Sequence, residues 1–259
     1  MKKVLALVLT LMLALSAFAY AETFKMGIDA EYPPYTYVNE EGDYTGFDVE
    51  MCQKVCEILG WDLEIVPINW DTKLATLDIG DIDCIWSGLT IDVISPEEYT
   101  LSFAYCDSSQ KILTTKSAGI NSLADLAGKK VGVQLGTSAD IMLQEDQAEL
   151  AATFGELNNS YPDYNVCFTD LQMGQIDAIA IDASIGSGKI AEYGDEFFFL
   201  DEDLASEQYG ICFRLADADM CAKVEEAIMQ LVADGTYQAL AEKYAPEGLD
   251  VNALCLKAE

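Results

Sequence analysis

The chain has 259 residues, 14 of them basic and 45 acidic, so its formal net charge is −31, and hydrophobic residues make up 51% of it. Such a charge repels nucleic acid and anionic lipid, which excludes proteins that bind these polyanions through a basic surface. The length and apolar content suffice for one large domain or two small ones. We expect a solvated acidic surface whose field also favours cationic ligands.

The N-terminal segment has the three parts of a secretory signal peptide. Two lysines precede an apolar run over residues 4–19, and the small residues Ala19 and Ala21 form a cleavage site. The run is short for a membrane-spanning helix, so a membrane anchor is the weaker alternative. No cysteine lies near the cleavage point. The sequence therefore predicts export to the periplasm or the extracellular space, with residues 1–21 cleaved and no lipid anchor.

Strands and helices then alternate along the first part of the chain. A helix with one apolar face is predicted over residues 48–59, and Gly60 is expected to end it. Strands are predicted before and after it, and a second helix follows before a third strand. The other elements of this part are strands at 24–29, 63–67 and 83–86 and a helix at 70–79.

The same alternation restarts after residue 120, without a sequence repeat. Two βαβ-type blocks predict an α/β fold. Residues 110–115 and 208–213 are extended and apolar, which suits two strands that cross between the blocks. The other predicted elements are helices at 122–126, 170–174, 220–234 and 235–244, a helix opening at 136–138, and strands at 131–134, 165–168 and 178–181.

Eight cysteines in an exported chain are consistent with disulfide bonds, but sequence alone does not assign their pairing. Buried free thiols are an equal alternative. The chain has no histidine and no C-x-x-C motif, so we predict neither a metal site nor a cofactor.

Nine short segments, in their order and spacing, resemble the family-3 extracellular solute-binding proteins, the periplasmic amino-acid-binding proteins of bacterial ABC importers. They cover nearly all of the chain after residue 21 and lie at 27–35, 46–49, 70–71, 80–83, 87–91, 126–138, 177–182, 209–211 and 234–237.

The resemblance implies a two-lobed type II periplasmic-binding-protein fold with two crossover hinge strands. The first lobe would comprise residues 22–109 and 206–259, and the second residues 110–205. A small polar solute, an amino acid or a related amine, would bind in the cleft between the lobes. Hinge closure would then let a monomeric protein dock on the membrane permease of an ABC importer.

The resemblance also implies which residues contact the ligand. Asp29 follows the first strand, at the strand end where ligands collect in α/β sheets. Asp182 would pair with the ligand's ammonium group, because a buried acid requires a cationic partner. The aromatic rings of Tyr32, Tyr35 and Trp70 would enclose an aliphatic chain or a cation, although core packing is the alternative for each.

Two further segments would bind the ligand's polar groups from opposite sides. Ser87, Gly88 and Thr90 resemble the residues that hydrogen-bond the amino and carboxylate groups. Gly136, Thr137 and Ser138 open a helix whose free N–H groups suit a carboxylate, and a simple N-cap is the alternative reading. Trp86 is either a further wall or core, and Asp48 is expected to be structural.

One position departs from the family pattern. The family places an arginine that clamps the ligand carboxylate where this chain has Ser95, and the chain's only arginine, Arg214, is expected to face solvent. A buried unpaired charge costs about 3–5 kcal/mol, against about 8 kcal/mol for all of a micromolar affinity. Three alternatives follow. Lys73 or Lys111 replaces the arginine, or the helix start at 136–138 binds the carboxylate alone. In the third alternative the ligand has no carboxylate at this position. With Asp29, Glu31 and Asp182 nearby, we hypothesise a cationic ligand.

Two other functions remain as alternatives. Dehydratase-type enzymes are known on this fold, and Glu31 or Asp182 could act as an acid or base, but the chain has no histidine and no activated cysteine motif. A ligand-sensing ectodomain is the second alternative. Because fold does not fix function, the transport assignment depends on the resemblance and the signal peptide together.

Overall fold

The computed structural model of the protein describes residues 22–194 and 196–258, so the predicted signal peptide lies outside the described residues. Among those residues, no helix has both the length and the apolar character needed to cross a bilayer.

The first part of the chain forms a block of strands and helices followed by a short edge strand. Gly60 ends its long helix in a left-handed conformation with φ of 70°, which confirms the predicted stop. The elements are β1 (Thr23–Ile28), β2 (Glu31–Tyr32), β3 (Thr36–Val38), β4 (Tyr44–Thr45), α1 (Phe47–Leu59), β5 (Asp62–Pro67), α2 (Lys73–Asp78), β6 (Cys84–Thr90) and β7 (Tyr99–Leu101).

The remaining elements build the second block and then return to the first. They are β8 (Cys106–Thr115), β9 (Lys130–Gln134), α3 (Ser138–Gln144), α4 (Ala148–Ala151), β10 (Glu156–Tyr161), α5 (Tyr164–Gln172), β11 (Ala178–Asp182), α6 (Ala183–Tyr193), β12 (Phe197–Arg214), α7 (Ala218–Ala233) and α8 (Thr236–Tyr244). Helices α7 and α8 pack on α1, so the C-terminal helices complete the first block.

One large sheet runs through both blocks in the order β10-β9-β11-β8-β12-β6-β1-β5, and β7 pairs with β12. In the first block β1 is parallel to β5 and β6, and in the second block β9 is parallel to β10 and β11. A separate small sheet holds β2, β3 and β4. The carboxyl ends of the parallel strands are where ligands collect in such folds.

Strands β8 and β12 connect the two blocks as an antiparallel pair. Their register runs from Phe197 opposite Thr115 to Tyr209 opposite Cys106. Strand β12 continues from the second block into the first, where it pairs antiparallel with β6. The predicted crossing segments 110–115 and 208–213 lie within these two strands, so the prediction of two crossover strands is confirmed.

One local prediction was wrong. Residues 165–168, predicted as a strand, lie in α5, because the Asp163 side chain accepts the Val166 N–H and caps a helix there. The predicted helical turn at 170–174 contains the end of that same helix. The strand of this region is β10, whose sequence ELNNSY is mostly polar because it lies at the edge of the sheet.

Arg214 does not face solvent as expected. Its guanidinium group donates to the backbone carbonyls of Leu77 and Ile82 at 3.0 and 2.5 Å. It also pairs with the carboxylates of Asp83 and Asp217 at 3.2 and 2.6 Å. The contacts with Leu77, Ile82 and Asp83 tie the end of β12 to α2 and to the segment that follows it, and together with Asp217 they account for the arginine without a ligand.

Candidate functional site

The carboxyl ends of β6, β9 and β11 face one cavity between the two blocks. Its empty volume is about 320 Å³, including its opening to solvent. The second block contributes Gly136, Thr137, Ser138 and Asp182 to the wall. The first block contributes Tyr32, Trp70, Lys73, Gly88, Leu89, Thr90 and Val93.

Eight of the twelve predicted site residues line this cavity. Four do not, and each has a reason in the packing. The Tyr35 ring is fully buried and its hydroxyl contacts Ser184 Oγ at 3.0 Å. Ser87 is also fully buried, with its Oγ accepting the Asp29 N–H at 3.1 Å. Ser95 lies beyond the cavity wall and donates to the Glu97 carboxylate at 2.9 Å.

Asp29 is buried behind the cavity rather than in its wall. One carboxylate oxygen accepts the Gln134 side-chain amide at 2.7 Å, and the other accepts the Glu31 N–H at 2.9 Å. Burial raises the pKa of the Asp29 carboxyl group above its usual value. Because Gln134 belongs to β9 and Asp29 follows β1, this contact joins the two blocks.

Two aromatic rings form the apolar part of the wall. Tyr32 and Trp70 are 6% and 8% exposed, so the little surface they keep faces the cavity. Gly88 lies against the Tyr32 ring, and a Cβ built there would come within 2.7 Å of Tyr32 Cε1. Its φ of 54° is also left-handed, so the ring and the backbone both require glycine. Trp86, by contrast, is fully buried core.

Asp182 lies at the end of β11 with its carboxylate in the cavity wall. Its Oδ1 accepts the Tyr209 hydroxyl at 2.5 Å and the Gln110 side-chain amide at 2.8 Å. Tyr209 and Gln110 belong to the crossover strands, which therefore hold the carboxylate in position. A carboxylate fixed in this way can bind a cationic group.

Glu207 is a second buried acid that the sequence analysis missed. Its carboxylate accepts the Thr90 hydroxyl at 2.7 Å, the Ser138 hydroxyl at 2.9 Å and the Gln110 amide at 3.0 Å. Burial, followed by the neighbouring Asp182 carboxylate, raises the pKa of Glu207 well above its usual value. The alternation of β12 could have revealed it, since Glu207 and Tyr209 share one face of the strand.

Lys73 is the lysine that reaches the cavity. Its Nζ donates to the backbone carbonyls of Gly136 and Trp70 at 2.6 and 3.3 Å and lies 4.9 Å from the Trp70 ring centre. Burial lowers the pKa of Lys73 to about 8. Lys111, the other lysine considered, pairs with Asp203 away from the cavity wall.

The helix start at α3 is already occupied by side chains of the chain. The Thr137 hydroxyl caps the Asp140 N–H at 3.3 Å, as the N-cap alternative expects. The Asp140 carboxylate in turn accepts the Gly136 N–H at 3.0 Å. Part of the donor capacity expected for a ligand carboxylate is therefore satisfied by an acid of the protein itself.

Several contacts cross between the blocks around the cavity. Besides the bonds from Gln134 to Asp29 and from Lys73 to Gly136, the Asn165 amide donates to the Glu31 carboxylate at 2.7 Å. The blocks thus contact each other on more than one side of the cavity.

Asp48 supports the cavity from behind, as the structural interpretation expects. It is fully buried, and its Oδ2 accepts the Gly88 N–H at 2.7 Å and the Tyr105 hydroxyl at 2.8 Å. Burial raises the pKa of Asp48 to about 7.

The cysteines take no part in the cavity wall. All eight are free thiols, and each except Cys255 is buried. Within the described ranges, no cluster of three or more histidine, cysteine or acidic side chains is placed to hold a metal ion.

Comparison with known proteins gives one consistent family. The L-cystine-binding protein TcyJ of Escherichia coli (strain K12) is 31% identical over 224 residues, which span 86% of this chain and 82% of TcyJ. A histidine-bound substrate-binding protein of an ABC uptake transporter from Streptococcus pneumoniae superposes with a TM-score of 0.83 at 28% identity, over 88% of this chain and 94% of that one.

A third relative connects the fold to enzymes. An ancestral amino-acid-binding protein, described as a precursor of cyclohexadienyl dehydratase, superposes with a TM-score of 0.76 at 29% identity, over 86% of this chain and 95% of that one. Residues 24–247 match the family of bacterial extracellular solute-binding proteins, family 3. The chain, with its two blocks joined by two crossover strands and a cavity between them, belongs to this family of solute-binding proteins.

Proposed function

We propose that the protein captures a small amino acid or related amine between two closing lobes and presents it to the membrane permease of an ABC importer. It acts as an exported monomer from which residues 1–21 have been removed as a signal peptide. The lobes comprise residues 22–109 with 206–259, and residues 110–205. Relatives that bind cystine or histidine support a ligand of this size and polarity.

The observation that carries this proposal is the placement of Asp182. Its carboxylate lies at a strand end in the wall of the cavity, together with the Tyr32 and Trp70 rings from the opposite block. An ammonium group bound to Asp182 would have its carbon chain against these rings. A ligand held this way contacts both lobes and therefore favours the closed form.

A thermal-shift screen of the mature protein tests the proposal. A ligand at a hundred times its dissociation constant adds about 2.7 kcal/mol to the free energy of unfolding, which raises the melting temperature visibly. Standard amino acids, polyamines and amino-acid amides form the panel.

Asp182→Asn should lower the affinity for any ligand found in the screen by at least about tenfold, because it removes one charge of the buried pair between Asp182 and the ligand's ammonium group. Asp201→Asn, an exposed acid on β12, serves as the matched control and should bind like the wild type. Equal affinity of Asp182→Asn and the wild type would refute the role of Asp182.

We also propose binding without turnover. Although one relative is a precursor of a dehydratase, the relatives named above are described as binding proteins. Mass spectrometry of the ligand after prolonged incubation should recover it unchanged, and accumulation of a product would establish an enzyme instead.

A further inference from the structure

The hydroxyl groups expected to bind a ligand carboxylate are already bound to Glu207. Thr90 ends β6 and Ser138 begins α3, so their hydroxyls approach from opposite sides of the cavity. Both donate to the same oxygen of Glu207, Oε2, at 2.7 and 2.9 Å. A hydroxyl has a single proton to donate, so neither has one left for a ligand.

Other donors around the cavity are used in the same way. The Gly136 N–H is bound to the Asp140 carboxylate and the Gly88 N–H to the Asp48 carboxylate. The Gln110 amide nitrogen donates to both of the paired acids, at 2.8 and 3.0 Å. A ligand carboxylate that entered here would have to displace a carboxylate of the protein.

Acceptors, by contrast, are left over. Gln110 is 1% exposed, and its Oε1 has no hydrogen-bond partner among the described residues. Within the described part of the chain, Lys73 is the one basic residue in the cavity wall. Two of its three protons are donated to backbone carbonyls, and the carboxylates that act on its charge are those of Asp71 and Asp140. The cavity therefore has the Asp182 carboxylate in its wall and Gln110 and Glu207 buried behind it, so acceptors and negative charge outnumber free donors there.

We propose that Glu207 takes the place of the ligand's carboxylate and thereby selects an organic cation, an amine that carries no carboxylate group. Such a ligand binds its ammonium group to Asp182 in the cavity wall, with Glu207 buried beside it, and leaves the bonds of Thr90 and Ser138 to Glu207 intact. An amino acid would instead bring its carboxylate close to Glu207, where like charges repel once Glu207 is ionised. This inference rests on the proposed function of the cavity.

Calorimetric titration of the mature wild-type chain with matched ligand pairs tests the inference. Each pair differs only by loss of carboxyl groups: arginine and agmatine, lysine and cadaverine, histidine and histamine, cystine and cystamine. We expect the amine of the pair that binds most tightly to exceed its amino acid by at least about tenfold in affinity, the size of one lost charge interaction.

The variant Glu207→Gln identifies the residue responsible. It should reduce the preference for the amine at least about tenfold, because the repelling charge is gone. Glu202→Gln makes the same change at an exposed position on β12 and should keep the wild-type preference. An unchanged preference in a folded Glu207→Gln protein would overturn the role of Glu207.

The wild-type titrations decide the ligand class even if the variant fails to fold. Amino acids that bind as tightly as their amines would overturn this inference and leave the proposed function standing. If neither series binds, the proposed function fails and the inference fails with it.

Discussion

Gly136 offers a direct test of closure, because it lies where the two blocks contact each other. Its φ is 74°, and a Cβ built on it would lie 2.9 Å from the Asp71 Cα and 3.4 Å from the Asp71 backbone nitrogen. Asp71 belongs to the first block and Gly136 to the second. The variant Gly136→Ala should therefore oppose the closed form while leaving an open form free of the clash.

The magnitude has two parts. A left-handed alanine costs about 1 kcal/mol or somewhat more wherever it stands, which lowers the stability of the fold. Forcing an extra carbon against a backbone atom typically costs about 1–3 kcal/mol, and here that cost falls on the closed complex alone. At 1.4 kcal/mol per tenfold, we expect ligand affinity to fall by about 5–150-fold.

Gly128→Ala is the matched control. Gly128 lies in the same block with φ of 75°, but a Cβ there would meet no heavy atom within 4 Å. Both variants should lose similar stability in urea unfolding, and only Gly136→Ala should lose affinity in calorimetric titration. Wild-type affinity in Gly136→Ala, or an equal loss in Gly128→Ala, would refute the reasoning.

Two predictions concern pH. Between about pH 4 and 7 the folded protein holds a proton on Asp48, whose pKa is about 7, while the unfolded chain has lost it, so stability falls as pH rises. The loss of unfolding free energy approaches about 4 kcal/mol over three pH units. In urea unfolding, Asp48→Asn should lack this contribution to the pH dependence of stability. Stability that falls equally with pH in the variant and the wild type would contradict the prediction. For an amine ligand, affinity should rise with pH as Glu207 loses its proton, since its pKa is raised and a cation requires the ionised form. Calorimetric titration in buffers of different ionisation enthalpy should detect the proton that Glu207 releases when the amine binds. The titrations are made below pH 7, where Lys73 stays protonated. Affinity that falls as pH rises would count against this prediction.

Most of the fold could be predicted because its elements have clear patterns. Helix α1 shows an apolar face and a glycine stop, and β9 and β11 are short apolar runs. A strand was wrongly predicted in place of α5, where these signals are weaker. The segment 165–168 is mostly apolar and only four residues long, too short to show a helical period, so the helix cap at Asp163 decides its structure. The polar edge strand β10 has no apolar pattern to find.

The site was predicted less completely, because a motif names a segment and not the direction of each side chain. In residues 87–91, Gly88 and Thr90 reach the cavity, while Ser87 points into the core. Glu207 stands one residue before the predicted crossing segment 208–213. Its importance arises from Thr90 and Ser138, which are distant in sequence and meet it only in the folded chain.

The crossover strands also contribute chemistry to the site. Gln110 on β8 and Glu207 on β12 hold the polar contacts of the cavity, and both strands must bend when the blocks move apart. On the proposed role of Glu207, ligand choice and opening of the lobes are therefore coupled in this chain. A lineage that changed its ligand by substitution at either position would shift the fraction of empty protein that is already closed. The importer would then meet a different ligand and, at the same time, a different fraction of closed protein that carries no ligand.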